Sequence, residues 1–210
     1  MRVNKELIKY VESNIFPLYE KHGCCHEISH IKEVIRKSLK LIEQVKDEPI
    51  DIDMVYTVGA FHDIGLIKDR KTHHLVGAQM LIADKALDKF FTKEQKQTMS
   101  EAIEDHRASL DGVPRNIYGK IVSTADRGWD LDEFLGTVYR YRLKYHPEST
   151  LEQVVEDGYD HTVKKFGKNG YAKEKVYFKD EDYEKFISEL DKLIQDKAKF
   201  RERFLRVNGF

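Results

Sequence analysis

Two adjacent residues, His62 and Asp63, follow an apolar run from Met54 to Phe61 and precede Ile64-Gly65. A histidine and an aspartate offer an imidazole nitrogen and a carboxylate to the same metal ion. Other side chains of the same two types stand upstream and downstream: His30, His73, His106 and Asp126. Because these residues are spread along the chain, the pattern indicates a metal site assembled from several separate segments.

Helical spacing of apolar residues dominates the segments that carry these side chains. The sequence predicts helices over about residues 4–20, 29–46, 53–65, 72–83, 92–106, 117–127, 149–166 and 180–207. Only residues 175–178 are compatible with a short strand. The sequence therefore predicts an all-α protein in which most of the candidate ligands lie at or near helix ends.

Composition limits the location and the partners of the chain. Its 210 residues are enough for one domain with a substantial core. The 36 basic and 37 acidic side chains nearly cancel, which argues against broad binding of nucleic acids or membranes. No apolar run approaches the ~20 residues that span a bilayer. The adjacent Cys24 and Cys25 suit a reducing compartment, so we predict a cytoplasmic protein.

The order His30, His62-Asp63, Asp126 resembles that of the HD superfamily of metal-dependent phosphohydrolases, and His62-Asp63-Ile64-Gly65 repeats the HDIG form of its signature. The resemblance covers about residues 20–130. It implies an HD-domain helical bundle with the metal site at its centre. We predict a single domain over residues 1–210, with residues 131–210 as an extension that ends in one long amphipathic helix. The apolar stripe of that helix is compatible with packing or with a homodimer.

The resemblance also implies a ligand set. Four residues would bind a first ion: His30, His62, Asp63 and Asp126. His73 and His106 would bind a second ion, with Asp63 as the bridge between the two. Each of these side chains taken alone would more often be an ordinary polar residue at a helix end. The ligand types suit iron, manganese, zinc or cobalt without selecting one, and paired divalent ions suit phosphoryl displacement by a shared hydroxide.

Cationic side chains near these ligands predict the charge of the substrate. Arg107 follows His106, Arg127 follows Asp126, and two further cations, Arg115 and Lys120, lie between these pairs. Guanidinium groups clamp phosphate through two hydrogen bonds, so we predict that all four cations bind substrate and that Arg107 and Arg127 also stabilise the transition state. The alternative is that they form surface salt bridges with neighbouring aspartates. His26, four residues before His30, is predicted to orient a ligand or to protonate the leaving group.

The predicted activity is hydrolysis of a small phosphoester or phosphoanhydride, such as a nucleotide, by metal-bound hydroxide, with Asp63 helping to activate the water. Arg107 and Leu66 depart from the branch that acts on cyclic dinucleotides. The ligand order, with Ala125-Asp126-Arg127, is most similar to that of the symmetrical dinucleoside tetraphosphate hydrolases. Two alternatives stay open at this point: a di-iron oxygenase similar to the inositol oxygenases, and a non-catalytic module that binds a ligand through the same pocket.

Overall fold

The computed structural model describes residues 2–20, 28–46, 48–128 and 130–210, and within these ranges the regular structure is helical, with no strand. The all-α prediction is therefore confirmed. The described chain forms two compact units. The first comprises the residues up to Asp126 together with Val176–Phe178, and the second comprises Arg127–Lys175 and Lys179–Phe210. The division lies close to the boundary predicted at about residue 130, whereas the grouping of both parts into one domain stays a prediction.

The first unit contains seven α-helices within the described ranges. They are α1 (Lys5–Tyr10), α2 (Phe16–Glu20), α3 (Ile28–Leu41), α4 (Ile52–Phe61), α5 (His73–Ala83), α6 (Lys93–Asp105) and α7 (Ile117–Ala125). A π-helical turn, Val11–Ile15, joins α1 to α2. Short 3-10 helices occur at Ile42–Gln44, Ile64–Ile67 and Lys85–Lys89.

Side-chain caps fix where several of these helices begin. The Asp51 carboxylate accepts hydrogen bonds from the first turn of α4. The sequence Thr92-Lys93-Glu94-Gln95 predicts a capping box, and Thr92 and Gln95 form it at the start of α6; Asn116 caps α7. Helix α3 packs against α4 and α7, and α6 packs against α5 and α7. The apolar faces of these helices form one continuous core, so the helix ends that carry the candidate ligands are held on a rigid frame.

The second unit contains four α-helices within the described ranges. They are α8 (Leu131–Tyr145), α9 (Leu151–Phe166), α10 (Glu181–Ile194) and α11 (Lys197–Val207). Aromatic rings fill its interior: Phe134, Phe166 and Phe186 contact one another edge to face, with centroids 5.2–5.6 Å apart. Phe200 and Phe204 stack at 5.6 Å.

Two details of the second unit correct the sequence predictions. The long C-terminal helix is two helices, because the Asp196 carboxylate caps α11 by accepting from the backbone N–H groups of Ala198 and Lys199. Its apolar stripe nevertheless continues through both helices into the interior. The spacing of Ser149 and Glu152 predicts a capping box, but the capping box of α9 is formed one residue later, by Thr150 and Gln153. None of the helices in the described part of the chain is both long enough and apolar enough to cross a membrane.

Candidate metal centre

The structure brings all six candidate ligands together inside the first unit. They form two groups that could each hold a metal ion: His30, His62 and Asp126 in one, and Asp63, His73 and His106 in the other. Within each group the potential ligand atoms all lie within 4.8 Å of one another. Residues separated by almost 100 positions in sequence therefore converge on one place.

Five helices supply these side chains, mostly from their ends. His30 lies in α3, and His73 is the first residue of α5. His62, His106 and Asp126 are the C-terminal caps of α4, α6 and α7. A side chain at a helix end can turn into the centre of a bundle without interrupting the packed face of its helix. The sequence predicts the same placement, because most of the candidate ligands fall at or near the ends of the predicted helices.

Asp63 belongs to the second group and also faces the histidines of the first. Its Oδ2 atom is 3.8 Å from His30 Nε2 and 3.6 Å from His62 Nε2. Its Oδ1 atom is 3.3 Å from His73 Nε2 and 3.4 Å from His106 Nε2. The two carboxylate oxygens thus face opposite groups, which is the arrangement that a bridging carboxylate requires.

Asp126 completes the first group. Its Oδ1 atom lies 3.2 Å from His30 Nε2 and 3.7 Å from His62 Nε2. Burial disfavours the charged carboxylate of Asp126, but the hydrogen bond from His30 and the neighbouring His62 outweigh this effect and lower its pKa. Asp126 is therefore held as an anion at the edge of the site.

Three of the histidines are oriented by the backbone of their own helix or turn. The Nδ1 atoms of His62, His73 and His106 lie 2.6–2.8 Å from the carbonyl oxygens of the residues three positions earlier. A carbonyl can only accept a hydrogen bond, so Nδ1 carries the proton and Nε2 is directed into the site. Such contacts fix both the tautomer and the ring orientation of metal-binding histidines.

The donor set of the site fits a cation. Burial lowers the pKa of His62 to about 4, so this imidazole is neutral near pH 7. Its buried Nε2 atom has no hydrogen-bond partner among the described residues, and it faces the carboxylates of Asp63 and Asp126. A lone pair directed at two anions is unfavourable unless a positive charge lies between them. Burial likewise lowers the pKa of His73, whereas Asp63 raises the pKa of His106 against the effect of burial.

Gly65 allows the two halves of the site to approach each other. A Cβ atom at this position would lie 2.0 Å from the carbonyl oxygen of His73 and 2.8 Å from the backbone nitrogen of Gly77. The predicted helix over residues 53–65 would end at Gly65. The structure instead shows a close contact between backbones, which places the start of α5, and with it His73, beside Asp63.

The predicted substrate cations lie in different surroundings. Arg107 is half-buried next to the second group, where its Nη1 atom donates to the carbonyl of Lys71 at 3.0 Å and lies 3.4 Å from His74 Nδ1. His74 is half-buried there. Lys120 is half-buried in α7, six residues before Asp126.

The other two predicted substrate cations are Arg115 and Arg127, and each interacts with other side chains of the protein. The Arg115 guanidinium pairs with Asp105 through Nε at 2.9 Å and through Nη2 at 2.9 Å, and it also pairs with Glu104. This geometry favours the salt-bridge alternative for Arg115 over substrate binding. Arg127 is buried in the second unit, where its charge opposes the rise in pKa that burial imposes on Tyr183. His26 and the cysteine pair lie outside the described residues.

Sequence reasoning missed one residue that contacts the site. The Tyr19 hydroxyl donates to the carbonyl of Ala60 at 2.8 Å, inside the turn that presents His62 and Asp63. The available signal was weak: Tyr19 continues the buried stripe of Val11 and Ile15 at intervals of four residues. That spacing predicts burial but gives no indication of what the hydroxyl contacts.

Comparison with known proteins agrees with this geometry. Residues 28–127 match the family model described as HD domain. Neither the comparison with curated proteins nor the comparison with solved structures found a match. The matched range includes all six candidate ligands and ends one residue after Asp126. The chain therefore contains an HD domain, which is typical of metal-dependent phosphohydrolases, at residues 28–127.

Proposed function

We propose that the protein is a metal-dependent phosphohydrolase with two divalent ions, acting on a small phosphoester or phosphoanhydride such as a nucleotide. The observation that carries this proposal is the placement of Asp63, whose Oδ2 atom faces His30 and His62 and whose Oδ1 atom faces His73 and His106. One ion would be held by His30, His62, Asp63 and Asp126. The other would be held by Asp63, His73 and His106.

The ligand set supports a hydrolytic role. Divalent ions bound there would lower the pKa of a water molecule and offset negative charge on phosphoryl oxygens. The protein contributes rigidity, because backbone carbonyls hold three of the imidazoles in place. Preorganised ligands need little rearrangement as charge develops during the reaction.

Exposure of the ligands indicates how substrate reaches the site. The side chains of Asp126 and His73 are 18% and 12% exposed, whereas those of His62 and His106 are 0% and 2% exposed. Asp126 belongs to the first group and His73 to the second, so each group has at least one ligand that solvent reaches; His30 of the first group is also 10% exposed. A phosphoryl group that reached both Asp126 and His73 would lie next to both groups.

Arg107 is the cation best supported as a phosphate contact. Its guanidinium is anchored through Nη1 to the carbonyl of Lys71, close to His73. Arginine has five N–H donors, so this anchor leaves other donors for two hydrogen bonds to a phosphoryl group. Arg127, Lys120 and His26 keep their predicted roles in substrate binding or proton transfer as part of the proposal. Arg115 is the weakest member because Asp105 and Glu104 already bind it.

Turnover of bis(p-nitrophenyl) phosphate and of a panel of nucleotides, with Mn²⁺ added, tests the proposed activity. We expect the wild type to hydrolyse at least one of these compounds and His62→Ala to lose that turnover while keeping its helical circular dichroism. His146→Ala, an exposed histidine of the second unit, is the matched control and should keep full turnover. Equal turnover in His62→Ala and the wild type would contradict the proposal. Substrate-dependent oxygen consumption by iron-loaded protein would favour an oxygenase instead.

A further inference from the structure

Tyr19 carries a buried hydroxyl group that the proposed reaction does not use. It lies in α2 and is 7% exposed. Its Oη atom donates to the carbonyl of Ala60 at 2.8 Å. Ala60 lies in the last turn of α4, where the final four carbonyl groups of a helix have no partner inside the helix. The hydroxyl therefore satisfies a buried acceptor two residues before His62.

The same hydroxyl also interacts with the residue after His62. Burial raises the pKa of Tyr19 well above its ordinary value, the charge of Asp63 raises it further, and the backbone N–H of Asp63 opposes this rise. Tyr19 thus donates to Ala60, two residues before His62, and interacts electrostatically with Asp63. A phenylalanine would fill the same space but could not donate to the Ala60 carbonyl.

The position of Asp63 shows why such support is useful. Asp63 lies at the junction between the end of α4 and the 3-10 helix Ile64–Ile67. A small rotation of the Asp63 backbone would move both carboxylate oxygens away from the groups that they face.

We infer that Tyr19 is a positioning residue of the metal centre, and that its hydrogen bond to the Ala60 carbonyl anchors the end of α4 so that the Asp63 carboxylate can bridge the two ligand groups. The inference rests on the proposed metal site but not on the identity of the substrate. Tyr19 acts through Asp63, so its removal should weaken metal binding without removing a ligand.

Tyr19→Phe tests this role, with Tyr10→Phe as its matched control. Tyr10 lies in α1 of the same unit, and its hydroxyl donates to the Asp84 carboxylate, away from the ligands. Both variants lose one hydrogen-bonding hydroxyl and keep the ring. We would titrate each metal-free protein with Mn²⁺ by calorimetry and record the visible absorption spectrum of the Co²⁺ form.

We expect Tyr19→Phe to bind Mn²⁺ about 10-fold to 100-fold more weakly than the wild type, as for other residues that orient metal ligands. Its Co²⁺ spectrum should also change, because the coordination geometry changes. Tyr10→Phe should match the wild type in both measurements. A purely structural role for Tyr19 would lower thermal stability and leave the affinity and the spectrum unchanged, and that result would overturn the inference.

Two further outcomes are separable. If the wild type binds no Mn²⁺, the proposed metal site fails, and the inference fails with it. If the wild type binds and Tyr19→Phe binds equally well, only the inference fails. Should Tyr19→Phe unfold at room temperature, the titrations of all three proteins would be repeated in the cold with trimethylamine N-oxide, which favours the folded state.

Discussion

The two units of the protein differ in the kinds of side chain that they bury. The first places six ionisable side chains at a common centre, and five of them are at most 12% exposed at the side chain. The second fills its interior with rings such as Phe166, Phe186 and Phe204. It also keeps several of its ion pairs at the surface, including Lys197–Glu156 and Arg201–Glu152. Both groups able to hold a metal lie in the first unit, among the residues described.

This difference has an energetic meaning. Buried charges destabilise a protein unless opposite charges or a metal ion compensate them. The second unit buries mainly apolar rings, with Arg127 and Asp180 as its buried charged residues. The first unit buries Lys37, Lys96 and Asp105 and, in addition, brings six ionisable side chains together at one place. We interpret that concentration as the mark of a binding centre, and the following predictions test the contrast between the two units.

The largest expected effect is that of Gly65→Ala. The new Cβ atom would lie 2.0 Å from the His73 carbonyl oxygen, so α5 would have to move. We expect the free energy of unfolding to fall by more than ~3 kcal/mol, measured by urea denaturation. Gly136→Ala in α8 is the control, because the nearest neighbour of its Cβ atom, at 3.1 Å, would be the flexible end of the Arg140 side chain. It should change stability by no more than about 1 kcal/mol. Similar stability for both variants would contradict the role assigned to Gly65.

Asp63→Asn should remove the bridge between the two ligand groups. An amide has one acceptor oxygen in place of two and carries no charge, so we expect elemental mass spectrometry to find at most one ion per chain. Asp180→Asn provides the comparison in the second unit. Asp180 caps α10, and asparagine caps helices equally well, so metal content and stability should stay near wild-type values. Retention of two ions by Asp63→Asn would refute the bridging arrangement.

Metal binding should protect one unit more than the other. At 100 times its dissociation constant, a bound ion stabilises the folded state by about 2.7 kcal/mol. Hydrogen exchange measured by mass spectrometry with and without Mn²⁺ should show slower exchange in peptides from residues 48–126. Peptides from residues 131–166 should change less. Equal protection of both regions would argue against a centre confined to the first unit.

The smallest effects concern two surface arginines. Arg115→Gln leaves the buried Asp105 carboxylate without its ion pair, so we expect a loss of about 1–3 kcal/mol in stability. Arg201→Gln breaks an exposed pair with Glu152 and should cost no more than about 1 kcal/mol. Neither variant should alter inhibition of turnover by inorganic phosphate, whereas Arg107→Gln should weaken it. A clear loss of phosphate inhibition in Arg115→Gln would instead support the prediction that Arg115 binds the substrate.

The sequence supports a good deal of this account, because residue type and order are sufficient to identify the six clustered side chains. Spacing also predicts most of the helices and the capping box of α6. What it cannot supply are contacts between distant segments. The partner of Arg115, the backbone approach at Gly65 and the hydroxyl contact of Tyr19 all depend on packing. The break before α11 is different, since the capping preference of Asp196 was available as a signal.

The most direct test of the central claim is the metal content of the wild-type protein, purified without chelators or a metal-affinity tag and measured by elemental mass spectrometry. We predict close to two divalent ions per chain, falling to one in His73→Ala. If the protein holds no metal, even after reloading with manganese, iron or zinc, the six side chains do not form a metal centre and the proposed hydrolytic function is wrong.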